Sequence, residues 1–143
     1  MTGAVEPIGD GELESVMALL RESGLPLDGL DQTARIVVAR DDGGIVGTAA
    51  LEMYPDGALL RSVAVATRAQ GRGLGHELVE AALRIARDAG MPAVFLLTTT
   101  AEHYFPKFGF TPIERQDVPA SVRTSLEFTT ACPSSATVMR KLL

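Results

Sequence analysis

Hydrophobic positions along the chain follow two periods. From Glu12, the residues Leu13, Val16, Met17, Leu19 and Leu20 recur at helical spacing, and the pattern stops at "SGLP". Before it, "AVEP" reads as a short strand, and after it "LDGLDQ" reads as a turn or short helix. Next, "ARIVVAR" and "IVGTAALEMY" predict strands joined by the turn "DDGG". The turn "YPDGA" leads on into "LLRSVAVA", which completes an antiparallel meander of three strands. Helical spacing returns from Leu74 to Ala89. Leu74, Leu78, Val79, Ala82, Leu83 and Ala86 share one face, and Glu77, Glu80, Arg84 and Arg87 the other. Gly90 suits the position just past that helix, and Pro92 blocks its continuation. The run "AVFLLTT" is apolar on both sides, as a strand covered by helices on both faces would be. "AEHYFPKFGF" predicts a short helix, "FTPIERQDV" a strand, "PASVRTSLEF" a helix and "SATVMRKLL" a terminal strand. The fold class is therefore mixed α/β, with a central strand–helix–strand unit that places one parallel pair in an otherwise antiparallel sheet.

Composition narrows what such a fold can do. The 143 residues are 46% hydrophobic and 22% charged, and they read as one domain over 1–143 with a core of useful size. Cys132 is the single cysteine, which excludes an internal disulfide or a cysteine-rich metal framework, and His76 and His103 lack ligand-spaced partners, so no metal is expected. The N-terminus lacks the basic start and apolar run of a secretory signal, and no stretch has the length of a membrane span; a cytoplasmic protein with no membrane partner is expected. A net charge of −5 argues against nonspecific nucleic-acid binding but leaves room for a small anion held by local arginines.

The candidate chemistry lies in "SVAVATRAQGRGLGHELVEAAL", with glycines in alternation at Gly71, Gly73 and Gly75. A triphosphate-binding loop needs a Lys-Ser/Thr pair after the last glycine, and here His76 and Glu77 follow. A dinucleotide fingerprint needs glycines directly off the strand end and an acidic residue closing the next strand. "TRAQ" intervenes, and the next strand closes in threonines. A turn and a helix entry account for one or two of these glycines, but not for three flanked by Arg68 and Arg72. Without side chains, consecutive N–H groups can face one concavity at the positive end of a helix, and Arg72 adds a fork suited to phosphate. A pyrophosphate fits such a cradle.

Gln70-Gly71-Arg72-Gly73-Leu74-Gly75, read as Q-x-x-G-x-G after the strand "LRSVAV", strongly resembles the acetyl-CoA-binding motif of the GNAT superfamily of N-acyltransferases. The order of elements matches over nearly the whole chain, down to the "FGF" of Phe108–Phe110. The resemblance implies that acetyl-CoA is the co-substrate, with its pyrophosphate on the amides of Gly71, Arg72, Gly73, Leu74, Gly75 and His76. It further implies that the pantetheine arm pairs with the backbone of Val63, Ala64 and Val65, where family members carry a bulge. The thioester would lie where that strand and "AVFLLTT" splay apart. The C-terminal half, "LLTTTAEHYFPKFGF" with "VPASVRTSLEFTTACPSSATVMRKLL", resembles the N-acetyltransferases of bacterial arsenic-resistance operons. It is similar, more distantly, to the acetyltransferase domain of N-acetylglutamate synthases.

The reaction this implies is attack of a neutral primary amine on the acetyl thioester, with coenzyme A leaving as a thiol. An α-amino group, with a pKa of about 8, loses its proton more readily than a lysine side chain at about 10.4. A strand amide near Val63 or Val65 would stabilise the oxyanion. Many family members place a tyrosine acid four residues before the glycine of "GF", which here is Phe105. Tyr104, one residue earlier, is the candidate acid, although a helix would turn it about 100° away; the thiol could also leave as thiolate or take its proton from water. Where others place a glutamate base on the central strand, this chain has Leu59 and Arg61, which leaves Glu52 on the preceding strand as a candidate base or a solvated residue. His103 could relay a proton or simply face solvent.

Strand alternation would put Arg61 and Ser62 on opposite faces, with the Arg61 guanidinium near the acetyl gap as a fork for a carboxylate, phosphinate or arsinate. Thr98 and Thr100 could hydrogen-bond the acceptor, and Arg123, with Arg115, belongs to the segment that walls it. Glutamate synthases carry a substrate-holding arginine at the position of Thr100. The resulting expectation is N-acetylation of a small amino-acid-like amine, an arsenical or phosphinic glutamate mimic among the candidates. The alternatives are a protein N-terminal or lysine acetyltransferase and a non-catalytic acetyl-CoA sensor. Two copies could associate as a homodimer through their terminal strands.

Overall fold

The computed structural model describes residues 5–25, 27, 30, 34–42, 44–99, 101–125, 128 and 135–143. Among them seven strands form one sheet in the order β1-β2-β3-β4-β5-β7-β6. The strands are β1 (Glu6–Pro7), β2 (Ala34–Asp41), β3 (Gly44–Tyr54), β4 (Gly57–Val65), β5 (Ala93–Thr98), β6 (Thr111–Ile113) and β7 (Thr137–Leu142). The helices are α1 (Leu13–Glu22), α2 (Leu74–Asp88) and α3 (Ala120–Arg123). β2, β3 and β4 form the predicted antiparallel meander, and β4 and β5 the parallel pair that α2 connects.

The sheet is covered on both faces. Leu74, Leu78, Val79, Ala82, Leu83 and Ala86 of α2 pack on Val37, Ala49, Leu51, Leu60, Val94 and Leu96. On the other face, Val16, Leu19 and Leu20 of α1 pack on Ile36, Val38, Ala50 and Ala64, while Val122 of α3 packs on Leu59, Phe95 and Val138. β5 is buried from Ala93 to Leu96, as its apolar run requires.

Several expectations change. The segment "AEHYFPKFGF" forms turns and a 3-10 helix over Phe105–Phe108 in place of an α-helix, with Pro106 inside it. The predicted strand "FTPIERQDV" pairs only over Thr111–Ile113 before a 3-10 turn at Arg115–Asp117. The C-terminal strand β7 lies between β5 and β6, with a strand on each side. β6 covers only Val138–Arg140 of it, and the N-terminal strand β1 stands at the opposite edge of the sheet. Most of "LDGLDQ", together with Thr100 and Cys132, lies outside the described residues.

Candidate active site

β4 and β5 pair only at Ala58–Val94 and Leu59–Phe95. Beyond that point they part, and a cavity of about 410 Å³ opens between β4, the start of α2 and the 101–107 segment. Val63, Ala64 and Val65 form one wall, Gln70, Gly71, Gly73, Leu74, Gly75 and His76 a second, and Ala101, Tyr104, Phe105 and Lys107 a third.

A bulge decides which residues of β4 reach this cavity. Thr48 faces Ala64 and Ala50 faces Arg61, so Ala49 stands opposite two residues, Ser62 and Val63. Among the described residues Ser62 is the one non-glycine with positive φ, at 58°. The extra residue resets the alternation. Leu60, Val63 and Val65 pack on the α2 side, whereas Leu59 and Ala64 belong to the opposite face. The expectation that Arg61 and Ser62 face apart therefore fails. The kink brings Ser62 Oγ to 3.0 Å from Arg61 Nε, which donates to it.

The glycine stretch forms an open helix entrance. Gly71 and Gly73 have φ of 83° and 79°, and a methyl group on either would meet nothing within 4 Å. Gly73 caps α2, and its carbonyl accepts the first helical bond, from the Glu77 N–H. The N–H groups of Leu74, Gly75 and His76 precede the first possible acceptor within the helix and stand at its positive end. Gln70 turns back to donate through Nε2 to the Val65 carbonyl at 3.1 Å, tying the motif to β4. His76 is exposed and packs its ring on Phe108, centroids 5.0 Å apart. Arg72 is exposed and lies outside the cavity lining, with Nη2 3.4 Å from the Arg68 carbonyl, while Arg68 pairs with Asp41.

Tyr104 lines the cavity beside Phe105, contrary to the helical expectation that it would turn away. It sits in the turn before the 3-10 helix, so the α-helical 100° step does not apply. A methyl group at Gly75 would stand 3.0 Å from the Tyr104 hydroxyl. Burial pushes the Tyr104 pKa above its ordinary value. Lys107 Nζ lies 4.2 Å from the centre of its ring. Lys107 is a cavity residue that sequence reasoning missed, since nothing in "FPKFGF" distinguishes it from a surface lysine. His103 is exposed over 96% of its side chain and takes no part in the lining.

Glu52 and Arg61 also need correction. Both are buried, at 3% and 0% side-chain exposure, and Arg61 Nη1 donates to Glu52 Oε2 at 2.8 Å. The other carboxylate oxygen accepts from the Tyr54 hydroxyl. A buried carboxylate with both oxygens engaged is neither a solvated strand residue nor a base open to an incoming amine. The Arg61 guanidinium is likewise committed within the fold. Tyr54 is pushed up to about 12, by burial first and then by its bond to Glu52, and its hydroxyl also bonds Ser125. Tyr54 and Ser125 went unnoticed in the sequence because their roles depend on this distant pairing. Thr98 Oγ1 accepts from the Ala101 N–H at 2.9 Å, and Arg123 is exposed at the end of α3. Arg115 lies 5.7 Å over the Phe128 ring. Among the described residues no His, Cys, Asp or Glu cluster could hold a metal.

A splayed β4–β5 pair, a bulged β4 and a glycine-rich entrance to α2 are the features of an acyltransferase fold. Residues 32–112 match the acetyltransferase (GNAT) domain, and the chain belongs to that family. It is 41% identical over 81 residues to an amino-acid acetyltransferase of Mycobacterium tuberculosis, covering 56% of this chain and 46% of that protein. It is 37% identical over 92 residues to an amino-acid acetyltransferase of Ralstonia nicotianae, covering 63% of this chain and 20% of that protein. The chain thus matches less than half the length of these curated relatives. The fold is shared with N-acetylglutamate synthase from Neisseria gonorrhoeae, solved with coenzyme A and N-acetyl-glutamate (TM-score 0.82, 23% identity, 98% of this chain and 35% of that one). A Mycobacterium tuberculosis protein solved in complex with CoA is also similar (TM-score 0.81, 26% identity, 98% of this chain and 99% of that one).

Proposed function

We propose that this chain transfers acetyl from acetyl-CoA to the α-amino group of a small amino-acid-like acceptor. The observation that carries the proposal is one cavity that joins the glycine-rich start of α2, the bulged strand β4 and the Tyr104 hydroxyl. The residues present fit the co-substrate. The left-handed Gly71 and Gly73 leave open space where side chains would stand, and the amides of Leu74, Gly75 and His76 are directed outward from the helix start. These residues would hold the pyrophosphate. Val63, Ala64 and Val65 would receive the extended arm as a strand receives a neighbour. When bound, acetyl-CoA supplies an activated acetyl thioester.

The chain's own groups then do three things. Val63, Val65, Leu74 and Phe105 give the cavity apolar walls. The β4 amides beyond the bulge offer donors for a developing oxyanion. Tyr104 holds its proton at neutral pH, as any phenol with a pKa near about 10 does, so its hydroxyl can protonate a sulfur anion formed in the cavity. The acceptor amine must shed a proton before it attacks, and with both Glu52 oxygens engaged within the fold that proton would pass to solvent at the cavity mouth.

The named relatives support an amino-acid acceptor. Arsenical and phosphinic glutamate mimics belong to the same chemical class, because each joins an α-amino group to an oxyanion.

Purified protein should release thiol from acetyl-CoA in the presence of one or more members of a panel of amino acids and such mimics. Tyr104→Phe should lower kcat by about 100-fold with acetyl-CoA affinity retained. Absence of thiol release across the whole panel would sink the proposal.

A further inference from the structure

We propose that Arg61 is a positioning residue for the donor strand and not a contact for the acceptor, a role that rests on the acetyl-CoA reading above. A serine in the left-handed region persists only where its surroundings over-determine it. Ser62 is held there by Arg61 Nε, which donates to Ser62 Oγ at 3.0 Å. Arg61 is in turn held by Glu52 at 2.8 Å, Glu52 by Tyr54, and Tyr54 by Ser125. A polar chain therefore runs from the C-terminal segment to the kink of β4, and Glu52, Arg61, Ser62 and Ser125 are all buried.

A buried ion pair is a weak source of stability, and its best-attested use is to fix one arrangement among several. Here the arrangement it fixes is the bulge. Strict alternation from Leu60 on the α2 face would turn Val63 and Val65 away from the cavity and Ala64 toward α2. The extra residue at Ser62 turns Val63 and Val65 to the α2 side, where they line the cavity. The guanidinium thus sets which side chains and which amides β4 presents to the donor, without itself reaching the donor.

Arg61→Lys tests this role, because lysine can still pair with Glu52 but has no Nε to donate to Ser62. CoA affinity, measured by direct titration, should fall by about tenfold, equivalent to about 1.4 kcal/mol. The KM for acetyl-CoA should rise in step, while the acceptor KM changes by less than about twofold. Adding Ser62→Gly should restore CoA affinity, since glycine holds the left-handed conformation unaided. The proposal is overturned if Arg61→Lys leaves CoA affinity intact and raises the acceptor KM, or if Ser62→Gly fails to rescue. Should Arg61→Lys not fold, Ser62→Ala decides, because alanine bears the same backbone penalty as serine but offers Arg61 no oxygen: CoA affinity below that of the wild type supports the role, and wild-type affinity overturns it. Loss of turnover on every acceptor would sink only the acceptor assignment, because the CoA titration still reads the kink. A wild-type protein that binds no CoA would overturn the donor reading and this role together.

Discussion

Gly73 and Gly75 stand two residues apart in one motif, yet alanine at each should move stability in opposite directions. Gly73 has φ 79° and ψ 9° as the cap of α2. A residue with a Cβ pays about 1–2 kcal/mol in that conformation, which for a domain of this size lowers Tm by roughly 3–8 °C. No collision adds to the cost, since a methyl there meets nothing within 4 Å. Gly75 lies inside the first turn of α2 and is not among the glycines of positive φ. Alanine there gains up to about 0.5–1 kcal/mol of helix propensity. Its methyl would stand 3.0 Å from the Tyr104 hydroxyl, so the ring must retreat by about 0.5 Å to reach normal contact. A shift of that size in a reacting group should cost about tenfold in kcat. Thermal unfolding monitored by circular dichroism and steady-state thiol release measure the two effects separately. Gly73→Ala should lower Tm; Gly75→Ala should hold or raise Tm while kcat falls. Tm shifts of the same sign, or full activity in Gly75→Ala, would refute the reasoning.

Tyr54→Phe removes the donor to Glu52 Oε1 and leaves a buried carboxylate oxygen unsatisfied. It should cost about 1–3 kcal/mol, seen as a lower urea midpoint with unchanged slope, and an unaltered midpoint would count against the buried chain. The carboxylate of Glu12 is held down to about 2 from its ordinary 4.5 by its bonds to Arg40 and to the Gly9 N–H. A depressed carboxylate adds stability that is fully present above about pH 4.5 and is lost as pH falls toward 2. The decline of Tm over that window should be shallower in Glu12→Gln than in the wild type; identical slopes would show the clamp contributes nothing.

The amino-acid sequence by itself determined the meander, the parallel pair, the long helix with its buried face, and the glycine-rich entrance to that helix. Each of these rests on local periodicity or backbone freedom, which neighbours within a few residues dictate. Leu74, Leu78, Val79, Ala82, Leu83 and Ala86 are both the predicted and the buried face of α2. Tertiary structure alone decided the surroundings of Glu52, Arg61 and Tyr104. A period of two predicts that Arg61 and Ser62 diverge, but the bulge opposite Ala49 cancels the period at that one place. Glu52 and Arg61 are nine positions apart, and only the register of β3 on β4 reveals that they neutralise each other. Tyr104 enters the cavity because its segment winds as turns and 3-10 helix around Pro106, packing Phe105 and Phe108 into the core. Patterns repeat along a chain, whereas a bulge, a buried ion pair and a non-α turn are single events fixed by contacts between distant segments.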